Sequence, residues 1–257
     1  MSLDYKGKVD LEHIKHFDMN IYPKKEKKYL TPLAFLLSFP SVWHRRLKVH
    51  KRNMDHLKPP YILLCTHHAF IDFKVTTKAI FPHRANYVVA IDGFIKRENL
   101  LRNVGAICKR KFTNDLRLFK HIKYGLEELK YIQAIYPEAR YTLAGTNAIL
   151  PESLGKMVKV LKKPVVVLNM HGNYLTQQVW NLKMRYVPLQ ADMTQILTED
   201  DIKEVSVDAI NQRINEAFIY DEYRWQKEQN IKIKYKDRAE GLHHVLYQCP
   251  SCLKEHE

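Results

Sequence analysis

The segment CTHHAFIDF, residues 65–73, holds a histidine, His67, and an aspartate, Asp72, with four residues between them. A histidine that removes a proton from a substrate needs a partner to fix its tautomer and stabilise the imidazolium it becomes, and a carboxylate does both. Spacing alone says little: the composition makes about 0.7 such pairs expected by chance, and His13 with Asp18 and His50 with Asp55 repeat it. Context separates the three. His67 follows the apolar run YILLC, which reads as a strand, so it stands at a strand's carboxyl end, where α/β sheets place their ligand sites. His13 and His50 lie in charged stretches that read as solvated. Cys65 shares the face of His67 on an extended strand, which gives a second reading: a thioester hydrolase with a thiol nucleophile, His67 as base and Asp72 as orienter.

Two more segments end apolar runs in the same way. YPEARYTLAGT (136–146) carries Glu138 and Arg140 beside a proline, and GAICKRK (105–111) delivers Lys109, Arg110 and Lys111. In a parallel sheet the carboxyl ends share one rim, so His67 and Glu138 can converge there. A base, a carboxylate and cations at one rim suit acyl transfer to a phosphorylated alcohol, the cations holding phosphate and arginine doing so in bidentate fashion.

These residues need elements to position them. The runs 61–66, 85–91, 105–110, 131–137 and 164–170 are short, continuous and apolar, and segments of helical character separate them, notably 115–130 and 151–162. That pattern predicts an α/β fold with a mainly parallel central sheet flanked by helices. Residues 178–190 read as one or two further strands at an edge. From Thr198 to Gln229 a capping pattern, Thr198 with Asp201, and helical spacing predict a helical C-terminal appendage. The division expected is an N-terminal interface segment (1–52), an acyltransferase domain (53–197) and the appendage with its Cys-x-x-Cys tail (198–257).

The chain has 257 residues, 46% of them apolar, enough for a sizeable core, and a net charge of +14. The charge is regional, +18 over residues 1–198 and −4 over 199–257, and such a basic face meets phosphate. With 8 glycines and no Gly-rich phosphate loop, a P-loop or dinucleotide-binding enzyme is not expected. Nucleic acid is not expected as a partner, since aromatic residues do not interleave the basic clusters. Tyr29 to Trp43 is apolar, too short to span a bilayer, and flanked by Lys24–Lys28 and by Arg45, Arg46, Lys48, Lys51 and Arg52. It reads as a segment in the interface of an anionic membrane, with a helix docked on the protein's own core, or a non-catalytic membrane-binding module, as alternatives. The polar N-terminus and the four scattered cysteines point to a reducing, cytoplasmic setting.

Taken in order, the motifs between residues 30 and 195 resemble the PlsC-type 1-acylglycerol-3-phosphate O-acyltransferases, lysophosphatidate acyltransferases of the glycerolipid acyltransferase superfamily. The family's Asn-His, four residues, Asp is matched by Thr66, His67 and Asp72. Its Gly strand ending in Arg is matched loosely by Gly105–Lys111. Its Phe-Pro-Glu-Gly-Thr-Arg is matched by Tyr136, Pro137, Glu138, Ala139, Arg140 and Tyr141, and its Pro-containing strand by Lys163–Met170. The resemblance implies that His67, oriented by Asp72, acts as general base on a lysophospholipid hydroxyl. That hydroxyl attacks the thioester of acyl-CoA or acyl carrier protein without an acyl-enzyme. Glu138, Arg140, Arg110 and Lys111 would position the acceptor phosphate, no cofactor would serve catalysis, and the protein would work at the cytoplasmic face of a membrane. In the tail, Cys249 and Cys252, with His256 or with His243 or His244, could hold a structural zinc.

Overall fold

Alternating side chains on short apolar strands must be buried on both faces, and the chain achieves this with helices above and below one sheet. The computed structural model describes residues 17–111, 113, 115–246, 248–249 and 251–255. Seven strands, β1 (Lys48–Arg52), β2 (Ile62–Cys65), β3 (Ala85–Ala90), β4 (Ile107–Lys109), β5 (Ile132–Ile135), β6 (Val165–His171) and β7 (Gln190–Leu197), run in the order β1-β7-β6-β2-β5-β3-β4. Strands β2 to β6 are mutually parallel, while β7 is antiparallel to β6 and β1 parallel to β7. The five predicted strands are all present and form this parallel block.

Two features differ from expectation. Residues 178–189 contain only an isolated bridge, Gln178 with Asn181, and the strand expected there begins at Gln190 and lies second from the edge. The edge is β1, whose sequence KVHKR has one apolar residue, half-buried Val49. Its cations point outward, as suits an edge strand that must not pair with another chain, and so it carried no strand pattern. His50, expected to be solvated, is exposed and bonds Asp192 through Nδ1 at 2.8 Å; His13 lies outside the described residues.

The helices are α1 (Leu30–His44), α2 (Asp72–Ala79), α3 (Ile91–Phe94), α4 (Glu98–Asn103), α5 (Leu116–Glu127), α6 (Ser153–Leu161), α7 (Asn173–Thr176), α8 (Glu199–Glu204), α9 (Val207–Ala217) and α10 (Glu222–Glu228). Alternation divides the core. Leu63, Cys65, Val166 and Leu168 pack with Val42, Val75 and Ile80 on one face. Ile62, Leu64, Val165 and Val167 pack with Ile122, Leu126, Val158, Ile210, Ile214 and Phe218 on the other. Helix α9 is therefore part of the sheet's cover, and the Thr198–Asp201 capping box is formed at the start of α8. Helix α1 docks through Val42, and Phe35 and Phe39 ring-pack with Phe81. It still leaves Leu33, Leu36, Leu37 and Trp43 exposed. Among the described residues no helix is long and apolar enough to cross a membrane.

Candidate active site

Strand β2 ends at Cys65, and the chain turns through Thr66–Ile71 into α2, whose first residue is Asp72. The aspartate folds back under this turn. Its Oδ2 accepts from His67 Nδ1 (3.0 Å), from the His68 N–H (2.6 Å) and from the Ala69 N–H (3.0 Å), and its Oδ1 accepts from Asn173 Nδ2 (2.8 Å). Asp72 is 1% exposed, so a charge that would be costly to bury alone is met by four donors. Because the carboxylate accepts, His67 carries its proton on Nδ1 and leaves Nε2 as an acceptor. Nε2 makes no hydrogen bond among the described residues, and the side chain is 23% exposed. The ring packs against Tyr136 and Tyr141, each 4.4 Å away between centroids. A base held in one tautomer, packed against two rings and open at its free nitrogen can take a proton from a bound hydroxyl.

Glu138, expected to position the acceptor, holds the protein. Its Oε2 accepts from the His67 backbone N–H (2.8 Å), and its Oε1 from the Ala148 N–H (3.0 Å) and the Tyr220 hydroxyl (3.0 Å). The strand-end loop then folds over the histidine: the Thr142 N–H donates to the His67 carbonyl, and Thr142 Oγ1 closes the turn with Thr146 and Gly145. Ala139, where the resembled family has glycine, adopts φ 58°, a left-handed conformation that costs an alanine about 1–2 kcal/mol.

His67, Asp72 and Glu138 thus come together, and the cations do not join them as a cluster. Arg140 is exposed and forms no ion pair among the described residues. Arg110 pairs with Asp115 at 3.4 Å, and Lys111 with Asp92. Burial alone would raise the Asp115 carboxyl, but Arg110 and the N–H groups of Leu118 and Arg110 outweigh it and hold it below the ordinary range. Both cations follow β4, three strands from β2, about 14 Å at the usual strand spacing.

Cys65 is fully buried among the core residues under α2. Burial pushes its thiol well above the ordinary range, which denies it the thiolate a nucleophile requires, so the hydrolase reading fails. In the tail, Cys249 is half-buried and Cys252 exposed. Among the described residues no three His, Cys, Asp or Glu side chains are gathered to hold a metal. His256 lies outside the described residues.

Several supporting residues come from far along the chain and carried no local signal. Asn173 binds Asp72 from beyond β6, Tyr220 binds Glu138, and Glu222 accepts from the Gly172 N–H at 2.8 Å. Gly172 has φ 83°, and a Cβ there would meet the Pro188 carbonyl at 2.3 Å, so the turn requires glycine. Beside it, His171 contacts Glu222 through Nδ1 (3.2 Å) and Asp192 through Nε2 (3.5 Å). Burial would lower the His171 pKa, but the two carboxylates prevail and raise it to about 9, while His171, Gln190 and His50 overcome burial to hold Asp192 at about 2. A histidine whose folded pKa exceeds its unfolded value, about 6.5, stabilises the fold fully below that value and ceases to do so as pH rises through 9. Urea unfolding should therefore show stability falling by roughly 2–3 kcal/mol between pH 6.5 and 9. His171→Gln should flatten that slope; an equally steep slope in the variant would count against the assignment.

No protein-family model matches the chain, and no curated protein matches it either. Among solved structures, it is similar to the crystal structure of the 1-acyl-sn-glycerophosphate (LPA) acyltransferase PlsC from Thermotoga maritima. The TM-score is 0.60 and the identity 10%, with 81% of this chain and 83% of that one covered. At that identity the likeness is one of fold, and this chain has the fold of a lysophosphatidate acyltransferase.

Proposed function

We propose that the protein is an O-acyltransferase that moves a fatty acyl group from acyl-CoA or acyl carrier protein to the free hydroxyl of a lysophospholipid, lysophosphatidate foremost. The observation that carries this reading is the His67–Asp72 pair with Nε2 uncommitted, on a fold shared with an LPA acyltransferase. His67 Nε2 takes the hydroxyl proton as the oxygen attacks the thioester carbonyl. Asp72 stabilises the imidazolium formed, the C–S bond breaks as the tetrahedral intermediate collapses, and the proton passes to the departing thiolate. Arg140 is free to meet the acceptor phosphate, whereas Arg110 and Lys111 would exchange Asp115 and Asp92 for it.

The site would work at a membrane surface, held by the exposed Leu33, Leu36, Leu37 and Trp43 of α1 and the cations of Arg45–Arg52. The test is a matrix of acyl-CoA and acyl carrier protein donors against lysophosphatidate and other lysolipids, with vesicle co-sedimentation beside it. Acyl transfer to a phosphate-bearing lysolipid is expected, and binding to anionic vesicles should weaken as salt rises, because screening acts over about 8–10 Å at physiological ionic strength. Salt-sensitive vesicle binding with no transfer from any donor would leave a non-catalytic membrane-binding protein.

A further inference from the structure

A cavity lies away from His67, between the segment that follows α7 and the chain that includes and follows α10. It is open and has a volume of about 540 Å³, within the range of roughly 300–1,000 Å³ usual for small-molecule sites. Three cations line it, Arg185, Lys232 and Arg238, with Trp180, Ile231 and Leu242 among the apolar residues, and no carboxylate is part of the lining. Arg185 is 4% exposed, and its Nε and Nη2, both closed to solvent, have no hydrogen-bond partner among the described residues. No carboxylate among the described residues pairs with it, and the Trp180 ring lies 5.6 Å from the guanidinium carbon. The acidic residues close in sequence, Asp237 and Glu240, are exposed and face Lys183.

A buried guanidinium without a counter-ion is among the costlier features a fold can carry, and buried charges are as a rule paired. The guanidinium belongs to the cavity's lining, and an anion seated there would supply the opposite charge it lacks. Two further cations call for more than a single negative charge, and the apolar walls call for a body attached to it. We propose that this cavity binds a phosphorylated amphiphile, a phosphate monoester on an apolar or aromatic body, with Arg185 as its anchor. A chain of contacts joins the cavity to the rim near His67: Tyr223 lines the cavity, its hydroxyl lies 3.5 Å from that of Tyr174, and Tyr174 donates to the Leu143 carbonyl in the loop over the histidine.

The inference rests on the cavity alone, and its test needs no turnover. The full chain carrying Trp43→Phe leaves Trp180 and Trp225 as fluorescent reporters beside the cavity. Octyl phosphate should change their emission saturably, and octanol at equal concentration should not. Arg185→Met should weaken the dissociation constant at least tenfold, and Arg238→Ala roughly threefold, about 0.7 kcal/mol. Coenzyme A and a short-chain lysophosphatidate, each added in competition with octyl phosphate, distinguish a nucleotide source of the phosphate from a lipid one. Octyl phosphate binding no better than octanol overturns the proposal, as does failure of both competitors. Unchanged binding in a folded Arg185→Met overturns it too. If Arg185→Met does not fold, the octyl phosphate and octanol comparison and Arg238→Ala decide alone.

Discussion

Replacing His67 with alanine is expected to lower the rate of acyl transfer by about 10²- to 10⁴-fold, the range a positioned general base contributes, while the protein stays folded. The fold should survive because the side chain is partly exposed and makes one hydrogen bond, to a carboxylate that keeps three other donors. What is lost is the Nε2 acceptor. Asp72→Asn should also lose most activity, for a different reason: an amide cannot stabilise an imidazolium as a carboxylate does, and it can present an N–H to the histidine and so favour the wrong tautomer. Purified His67→Ala transferring acyl groups as fast as wild type, with an unchanged circular dichroism spectrum, would sink the mechanism.

Glu138→Ala should cost both stability and rate. The carboxylate takes the backbone N–H of His67, the backbone N–H of Ala148 and the hydroxyl of Tyr220, three donors from separate parts of the chain. Each buried donor left unpaired costs about 1–3 kcal/mol, and water entering the space recovers part of this, so a net loss of about 3–5 kcal/mol is expected. For a protein of this size that is roughly 10 °C in melting temperature. The rate should fall because the His67 backbone loses its anchor. Since Glu138 is fully engaged by protein donors, the fall should appear in kcat with KM for the acceptor little changed. A large rise in KM at unchanged melting temperature would instead return Glu138 to the role of contacting substrate.

How much could be read before folding depended on the distance along the chain over which each contact acts. The strands β2 to β6 were legible because a strand buried on both faces must be apolar throughout, and LLC or VVVL shows that in a few residues. Strand β1 was not, since its pairing with β7 is made by backbone groups that KVHKR does not advertise. His67 and Asp72 were legible as a pair because they sit five positions apart on one turn. Glu138 was visible as a residue at a strand end, but its task was not. Its partners stand 71, 10 and 82 positions away, and whether a carboxylate faces substrate or backbone depends on where those partners lie.

The sequence by itself determined the α/β class, the parallel block and the histidine that follows β2, because hydrophobic period and local turn spacing are properties of neighbouring residues. Only the tertiary structure decided what surrounds that histidine. It brought Asn173 to Asp72 and Tyr220 to Glu138, buried Cys65 beyond use as a nucleophile, paired Arg110 and Lys111 with nearby carboxylates, and left Arg185 buried and unpaired. Each of these outcomes turns on solvation and on a partner distant in sequence, and a residue's solvation exists only once the chain has closed around it.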